Sequence, residues 1–240
     1  MKLLDIIFPK KCVNCRRFGE YVCHNCIVKI EYSDNYSCPV CLRPSINGMT
    51  HNGCLKRGGI DGVVSITNYN NIVKKLIFRL KYPPYIKALA VIISKVLIEG
   101  LIQNESFYKF LEEYNPVIIP IPLSEKRLRT RGYNHAELIG YYVAQYFGLK
   151  LNTDLLQRIK DTKPQYKLNK IERFENLKNA FEITNIYKKS KNLSVAKRIP
   201  ESVILIDDIA TSFATLKAAS SVLKKNGVKR VLGVTFAREI

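Results

Sequence analysis

The 240-residue chain has no long uninterrupted apolar run, and this absence argues against a membrane-spanning segment. Its longest apolar stretch, 88–102, is broken by Lys95 and Glu99, so it predicts a buried helix rather than a membrane span. The apolar run within residues 1–9 is too short for a signal peptide. We therefore expect a cytoplasmic protein with no membrane insertion.

Acidic residues are also scarce, with 20 Asp and Glu against 39 Lys and Arg, for a formal net charge of +19. An AT-rich genome would favour lysine, but it would not lower the number of glutamates. An excess of this size favours a polyanionic partner, with nucleic acid first. Tyr82, Tyr85 and Tyr133 lie among basic residues and would suit stacking on bases, although exposed tyrosines are common without this role. The composition therefore predicts a polyanionic partner, with nucleic acid as the first candidate.

Cysteine is absent after residue 54, and the cysteines before it follow a regular spacing. Six form CxxC pairs and the seventh ends an HxxC pair, which turns the chain so that both side chains of a pair converge on one metal ion. Disulfides are the rival interpretation, but the absence of an export signal argues against an oxidising compartment. We predict two structural zinc ions, held by Cys12, Cys15, Cys23, Cys26, Cys38, Cys41, His51 and Cys54.

Two pairing orders are open for these ligands. Sequential pairing places the first four cysteines on one ion and the last four ligands on the other, whereas crossed pairing exchanges the inner pairs. We favour sequential pairing because each site then closes a short loop. His24 is interpreted as a bystander, and a second site of three cysteines without His51 is the alternative. Four protein ligands leave no coordination position for substrate, so both sites are expected to be structural.

The segment 203–215 carries the main functional signal. Four branched apolar residues predict a strand buried on both faces of a parallel sheet, and Asp207 and Asp208 end it. A hydroxyl-rich turn then leads into a predicted helix, 216–226. Amide groups at a helix start, with hydroxyls beside them, suit a phosphate, and neighbouring carboxylates suit sugar hydroxyls. The segment predicts a socket for a ribose 5-phosphate, against the alternative that the aspartates only cap the helix.

A basic stretch, 124–134, follows a second predicted strand, 117–122, and has four cations in six positions. We predict a loop here, after which Asn134 starts a helix with Glu137 completing a capping box. A basic loop beside a phosphate socket suits pyrophosphate. A solvated basic loop without ligand is the alternative.

The hydrophobic pattern predicts an α/β fold with a mainly parallel sheet and flanking helices, preceded by a small zinc-binding module. Gly59 follows another glycine and marks a boundary between the module, 1–58, and the α/β domain, 59–240. Lys74, Lys75, Arg79 and Lys81 are expected on the outer face of their helix. The remaining predicted elements are strands at 60–69 and 228–236, helices at 71–81 and 86–102, and a mobile loop at 188–198.

The segment 207–215 resembles the ribose-phosphate loop of type I phosphoribosyltransferases, whose donor is phosphoribosyl pyrophosphate. Along nearly the whole chain, the order of motifs resembles the ComF family of bacterial competence proteins. These motifs are the cysteine pairs, Leu80 with Lys81, 119–123, RGYN at 131–134, Gln165, 173–176 and the two aspartates. The resemblance implies a phosphoribosyltransferase-like fold, a role in natural transformation with single-stranded DNA, and other competence proteins as partners.

The same resemblance implies roles for individual residues. Asp207 and Asp208 would hold the ribose hydroxyls. The residues around the 5′-phosphate would be Ala210, Thr211, Ser212 and Thr215, and the pyrophosphate loop would be Arg127, Arg131, Gly132 and Asn134. In catalysis, Mg²⁺ would bridge pyrophosphate and ribose while Arg127 and Arg131 stabilise the departing charge.

Three positions depart from the family pattern, which usually has Gly at Phe213, Thr at Ser212 and Gln at His135. Gly permits unusual backbone angles, so Phe213 is expected to narrow the socket or shift the turn. Three hypotheses follow. The first is a DNA-uptake protein that binds phosphoribosyl pyrophosphate and single-stranded DNA. The second is an active phosphoribosyltransferase, with an amidophosphoribosyltransferase-like enzyme as one form. The third is an adaptor whose socket no longer binds a ligand because of Phe213.

Overall fold

A computed structural model of the chain describes residues 9–55, 59–161, 179–187 and 198–239. Its strands are β1 (Gly62–Asn68), β2 (Val117–Pro120), β3 (Leu156–Arg158), β4 (Phe181–Ile183), β5 (Ser202–Ala210) and β6 (Arg230–Arg238). Its α-helices are α1 (His24–Ile27), α2 (Asn71–Lys81), α3 (Leu89–Ile102), α4 (Glu105–Tyr114), α5 (Glu125–Arg131), α6 (His135–Phe147) and α7 (Ala214–Lys225). Predictions that rest on Gln165, on 173–176 and on 188–197 fall outside the described residues.

Four strands form a parallel sheet of order β1-β6-β5-β2, and β3 pairs with β4 in a separate antiparallel pair. Side chains alternate across the sheet, so Ile204 and Ile206 of β5 pack with α3 and α6, whereas Val203 and Leu205 pack with α7. Both faces are therefore buried, which is why the strands are almost continuously apolar. The prediction of an α/β fold with a mainly parallel sheet is confirmed.

The zinc-binding module packs against β1, the strand at one edge of the sheet. The Ser33 amide donates to the Ile66 carbonyl at 2.8 Å, and the Thr50 amide donates to the Asp61 carbonyl at 2.8 Å. Cys12 and Cys23 lie in the same hydrophobic cluster as α2 and α3. The module thus covers the edge of the sheet and shares its core.

Two segments differ from the sequence-based expectation at places that matter for the site. β5 does not end at its aspartates, because its ladder with β6 continues to the pairing of Ala210 with Arg238. The basic stretch is not a loop but the helix α5, which starts where the Ser124 hydroxyl accepts a hydrogen bond from the Arg127 amide and ends at Gly132, whose φ is 74°. Within the described residues, no helix has the length and apolar character needed to cross a membrane.

Candidate functional site

The eight expected zinc ligands fall into two groups, and within each group the ligand atoms lie within 4.8 Å of one another. The groups are Cys12, Cys15, Cys23 and Cys26, and then Cys38, Cys41, His51 and Cys54. Sequential pairing is therefore confirmed, and His24 belongs to neither group.

The distances between ligand atoms fit a tetrahedral zinc ion. Cys15 Sγ lies 3.5 Å from Cys23 Sγ, and Cys41 Sγ lies 3.4 Å from His51 Nδ1. A zinc–sulfur bond of about 2.3 Å sets tetrahedral ligand atoms about 3.8 Å apart, so little movement is needed to bind the ion. The residues present therefore fit two structural zinc ions.

Neighbouring groups prepare the second zinc site for its metal. His51 Nε2 lies 3.0 Å from the Pro44 carbonyl, and donating a proton there leaves Nδ1 as the metal ligand. A hydrogen bond from the Arg43 side chain lowers the pKa of Cys41 to about 6. Zinc binds the thiolate, so this lowered pKa favours metal binding through Cys41, whereas burial and the hydrogen bond with Cys41 raise the pKa of Cys54.

A small hollow opens where β5 leads into α7, at the carboxyl end of the parallel sheet. It is lined by Asp207, Ile209, Ala210, Thr211, Phe213, Ala214, Thr215 and Leu216. Its cavity volume of about 10 Å³ is far below the roughly 300–1,000 Å³ of typical small-molecule pockets, so it encloses about one water-sized group and no part of a nucleotide beyond that. Four of the six residues expected around the ribose phosphate line this hollow, and Asp208 and Ser212 do not.

The side chains of Asp207 and Asp208 leave the strand on opposite faces, as successive residues of a strand do, although one carboxylate oxygen of each lies within 4.8 Å of the other. Asp207 lines the hollow on the α7 side. Asp208 lies on the opposite face, where it is 1% exposed and contacts α2 and α6. The two carboxylates therefore have different surroundings.

Lys81 and His135 hold the buried carboxylate of Asp208. Lys81 Nζ lies 2.6 Å from Oδ2, and His135 Nε2 lies 3.4 Å from Oδ1. Burial opposes ionisation, but these two neighbours outweigh it and keep the pKa of Asp208 well below its usual range. The expectation that Lys81 lies on the outer face of its helix is wrong, because the last turn of α2 reaches the carboxyl end of β5.

Arg131 is connected to this carboxylate through His135. Arg131 Nη1 lies 2.6 Å from His135 Nδ1 and donates to it. Burial lowers the pKa of His135, so the ring is neutral and its Nε2 proton points to Asp208. Lys81, Asp208, His135 and Arg131 thus form one connected network at the carboxyl end of the sheet. His135 was identified as a departure from the family pattern, and its contact with Asp208 was not predicted from the sequence.

The electrostatic surroundings of Asp207 are different. Burial, followed by the charge of Asp208, raises the pKa of Asp207 to about 7. Burial, followed by the charge of Arg127, lowers the pKa of Arg158 to about 10, and the charge of Asp207 acts on it in the opposite direction. Arg158 therefore lies in the field of both Asp207 and Arg127. Its short strand gave no sequence signal, so it was not a candidate.

The remaining residues of the expected pyrophosphate loop have structural contacts. Arg127 Nε lies 3.9 Å from an oxygen of Asp161, whose position is fixed by the Ser124 hydroxyl at 2.7 Å. The Asn134 side chain donates to the Ile121 carbonyl at 3.0 Å and accepts from the Ala136 amide at 3.1 Å, instead of forming the expected capping box. Asn134 thus fixes the start of α6, and Asp161 lies beside Arg127.

Phe213 occupies the turn with a left-handed backbone, at φ 57° and ψ 14°. This is the left-handed region, which Gly adopts easily and other residues adopt at a cost. The ring is 3% exposed, packs with the cluster that includes Leu216, and lies 4.9 Å from the Arg238 guanidinium. Phe213 forms one wall of the hollow, and Arg238 is held beside it.

Comparison with known proteins connects both parts of the molecule to characterised groups. Residues 3–55 match the family model of the double zinc ribbon domain. The chain is 35% identical to Competence protein F of Haemophilus influenzae, in a match that covers 48% of this chain and 46% of that protein. It is 27% identical to Competence protein ComFC of Bacillus subtilis, covering 91% of this chain and 85% of that protein. It is 24% identical to the DNA utilization protein YhgH of Escherichia coli K12, covering 93% and 94%.

These comparisons confirm the resemblance to ComF-type competence proteins and the prediction of a zinc-binding module. In its match to the Haemophilus protein, the chain spans about half of that protein's length.

Proposed function

We propose that this chain, which resembles ComF-type competence proteins along most of its length, acts in DNA uptake during natural transformation. Its relatives carry competence and DNA utilization in their names, which supports this role. We further propose that the α/β domain binds phosphoribosyl pyrophosphate and that the basic surface binds single-stranded DNA. The hollow between β5 and α7 is the observation that carries the ligand proposal.

The 5′-phosphate of the ligand would lie at the opening of this hollow. The hollow lies at the start of the twelve-residue helix α7, where backbone amides and the helix dipole favour an anion. Thr211 and Thr215 line it, and hydroxyl groups of this kind can donate hydrogen bonds to phosphate oxygens. Asp207 at its rim would accept hydrogen bonds from the ribose hydroxyls.

The diphosphate would lie over the arginines beside Asp207. Arg127 and Arg158 bring two guanidinium groups to this side, and Arg131 is held on the other side of the sheet end by His135. One guanidinium group can donate two parallel hydrogen bonds to the oxygens of a phosphate. Arginines at neighbouring positions therefore suit a diphosphate. The same groups would stabilise a departing diphosphate. The position of these arginines therefore favours an active phosphoribosyltransferase as the second candidate.

Magnesium is expected to enter with the diphosphate. The ligand atoms of His135, Asp207 and Asp208 lie within 4.8 Å of one another, but Lys81 already neutralises Asp208. A cation at Asp208 would have to displace the lysine ammonium, so Asp207 and the ligand's own oxygens are the better donors. Magnesium usually binds in this way, through one or two carboxylates and substrate phosphates.

Calorimetric titration of phosphoribosyl pyrophosphate with Mg²⁺ tests the ligand proposal. We expect binding by the unmodified protein and at least tenfold weaker binding by Asp207→Asn, because the variant replaces a carboxylate acceptor by an amide. Asp34→Asn, on the exposed surface of the zinc-binding module, is the matched control and should bind normally. No heat with the unmodified protein would favour the adaptor hypothesis. Equal affinity in Asp207→Asn would place the ligand elsewhere.

A transformation assay tests the biological role. A deletion strain complemented with Asp207→Asn should take up DNA less efficiently than one complemented with Asp34→Asn. Full complementation by Asp207→Asn would separate DNA uptake from the ligand. Release of pyrophosphate in the presence of candidate amine acceptors would distinguish the active transferase from a binding protein.

A further inference from the structure

Two large aromatic rings lie exposed at the carboxyl end of α2: Phe78 is in its last turn, and Tyr82 directly follows its last residue. Phe78 is 48% exposed and Tyr82 is 41% exposed, with ring centroids 4.9 Å apart. The opposite face of this helix carries its buried side chains, Ile72, Val73, Leu76, Ile77 and Leu80. The two rings therefore add nothing to the core and present flat apolar faces to solvent.

The sequence segment that carries these rings contains no acidic residue. Residues 62–98 contain six Lys and Arg and no Asp or Glu. Lys74 is exposed one turn before Phe78, and Arg79 follows Phe78 directly and has a guanidinium contact to the Pro83 carbonyl at 3.5 Å. We call Lys74, Phe78, Arg79 and Tyr82 the α2 stripe. It combines stacking surfaces with cations that have no neighbouring carboxylate in this segment.

The first zinc-binding loop extends the α2 stripe. Lys75 Nζ donates to Asn14 Oδ1 at 2.9 Å, so the loop lies directly beside α2. Phe18 in this loop is 64% exposed, and Lys11 Nζ lies 4.8 Å from its ring centroid. Residues 6–19 contain four Lys and Arg and no acid. The zinc ion would thus fix a second group of aromatic and cationic side chains next to the first.

We propose that the α2 stripe and the adjoining zinc-binding loop form the path of a single-stranded nucleic acid. This inference rests on the DNA-binding part of the proposed function and assigns it to one surface. Bases would stack on Phe78 and Tyr82, and phosphates would contact Lys74 and Arg79. Stacking needs open base faces, so single strands are favoured over a duplex. The path follows α2 to Lys81, which contacts Asp208, and so leads toward the proposed phosphoribosyl site.

Substitution of the exposed rings, with a matched pair elsewhere, tests the surface. The test variant is Phe78→Ala/Tyr82→Ala, and the control is Tyr141→Ala/Tyr146→Ala on α6, whose side chains are 51% and 58% exposed. Binding of fluorescent oligothymidine is measured by anisotropy. We expect the α2 variant to bind at least tenfold more weakly, because stacking contributes substantially for each base. The control should stay within about twofold of the unmodified protein.

Further measurements separate the ways in which this inference can fail. Equal binding by both double variants would overturn the assignment to α2 while leaving DNA binding intact. No binding of oligothymidine by the unmodified protein would overturn both the surface and the DNA-binding part of the function. Phe78→Leu/Tyr82→Leu keeps apolar bulk without a ring, so normal DNA binding by this variant would overturn stacking. Binding to anionic vesicles in place of oligothymidine would identify the surface as a membrane contact and overturn the inference.

Discussion

Phe213 sits at the centre of the proposed phosphate turn in a backbone conformation that costs a non-glycine residue about 1–2 kcal/mol. Its ring is 3% exposed and contacts Arg238. Truncating a buried Phe typically costs about 3–5 kcal/mol, so the packing of the ring outweighs the strain. The residue expected to disturb the socket is therefore also a stabilising contact of the second hydrophobic cluster.

Phe213→Gly is expected to lower the free energy of unfolding by about 2 kcal/mol, the difference between the lost packing and the relieved strain. Denaturant unfolding measures this change. Gly132→Ala is the matched control for backbone strain, because its φ is 74° and an added Cβ would meet nothing within 4 Å. A Phe213→Gly variant more stable than the unmodified protein would contradict the packing argument. Its affinity for phosphoribosyl pyrophosphate then reports whether the ring narrows the hollow.

The positions of some residues of the site follow from the local sequence, whereas the positions of others depend on the tertiary fold. Asp207, Thr211 and Thr215 line the hollow, as expected from a strand followed by a hydroxyl-rich helix start. Asp208 does not, because the strand continues past it and its side chain points to the other face. The contacts of Lys81 and His135 were not predicted, because their partner lies far away in sequence. Such contacts depend on the register of β5 and on where α2 ends.

At the scale of elements, residues at both ends of α5 are local signals that predict a helix. Basic composition suggested a loop, but Ser124 before the segment and Gly132 after it are a helix start and a helix end. The helix 71–81 was predicted with its observed bounds, because apolar residues recur with a helical period and prolines follow it. The zinc ligands were predicted from spacing alone, since each pair of ligands is local.

Removal of zinc should destabilise the α/β domain as well as the zinc-binding module. Cys12, Cys23 and Cys26 pack in the cluster that contains α2 and α3, so loss of the first metal would disturb that core. We expect two zinc equivalents per chain by elemental analysis and a lower midpoint of thermal unfolding after chelation. Re-addition of zinc is the control and should restore the midpoint. An unchanged midpoint would show that the α/β domain is stable without the module.

At the scale of the whole molecule, the net charge of +19 sets the expected behaviour toward nucleic acid. Each neutralised phosphate of a single strand contributes a salt slope of about −0.7, so three contacts alone would weaken binding more than about tenfold between 50 and 200 mM salt. Titration of oligothymidine across this range measures the effect. Lys74→Gln/Arg79→Gln should have a shallower slope. An affinity independent of salt would contradict the electrostatic basis of binding.

The fold class was predictable because buried parallel strands are apolar throughout and are separated by helical periods. The order of the strands was not, since it depends on long-range packing that single elements do not encode. The contact between the zinc-binding module and β1 was equally hidden. It consists mainly of backbone hydrogen bonds, such as the one from Ser33 to Ile66, which leave no mark on residue type.

That contact has a consequence for how the protein would behave without its metals. β1 ends the sheet, and the module supplies partners for backbone groups along its outer side, from the Asp61 carbonyl to the Asn68 amide. If the zinc-binding module unfolds, these backbone groups are left unpaired and can pair with strands of other chains. Zinc would then do more than hold two loops together: it would protect the protein from self-association, and metal-depleted material should form oligomers through β1.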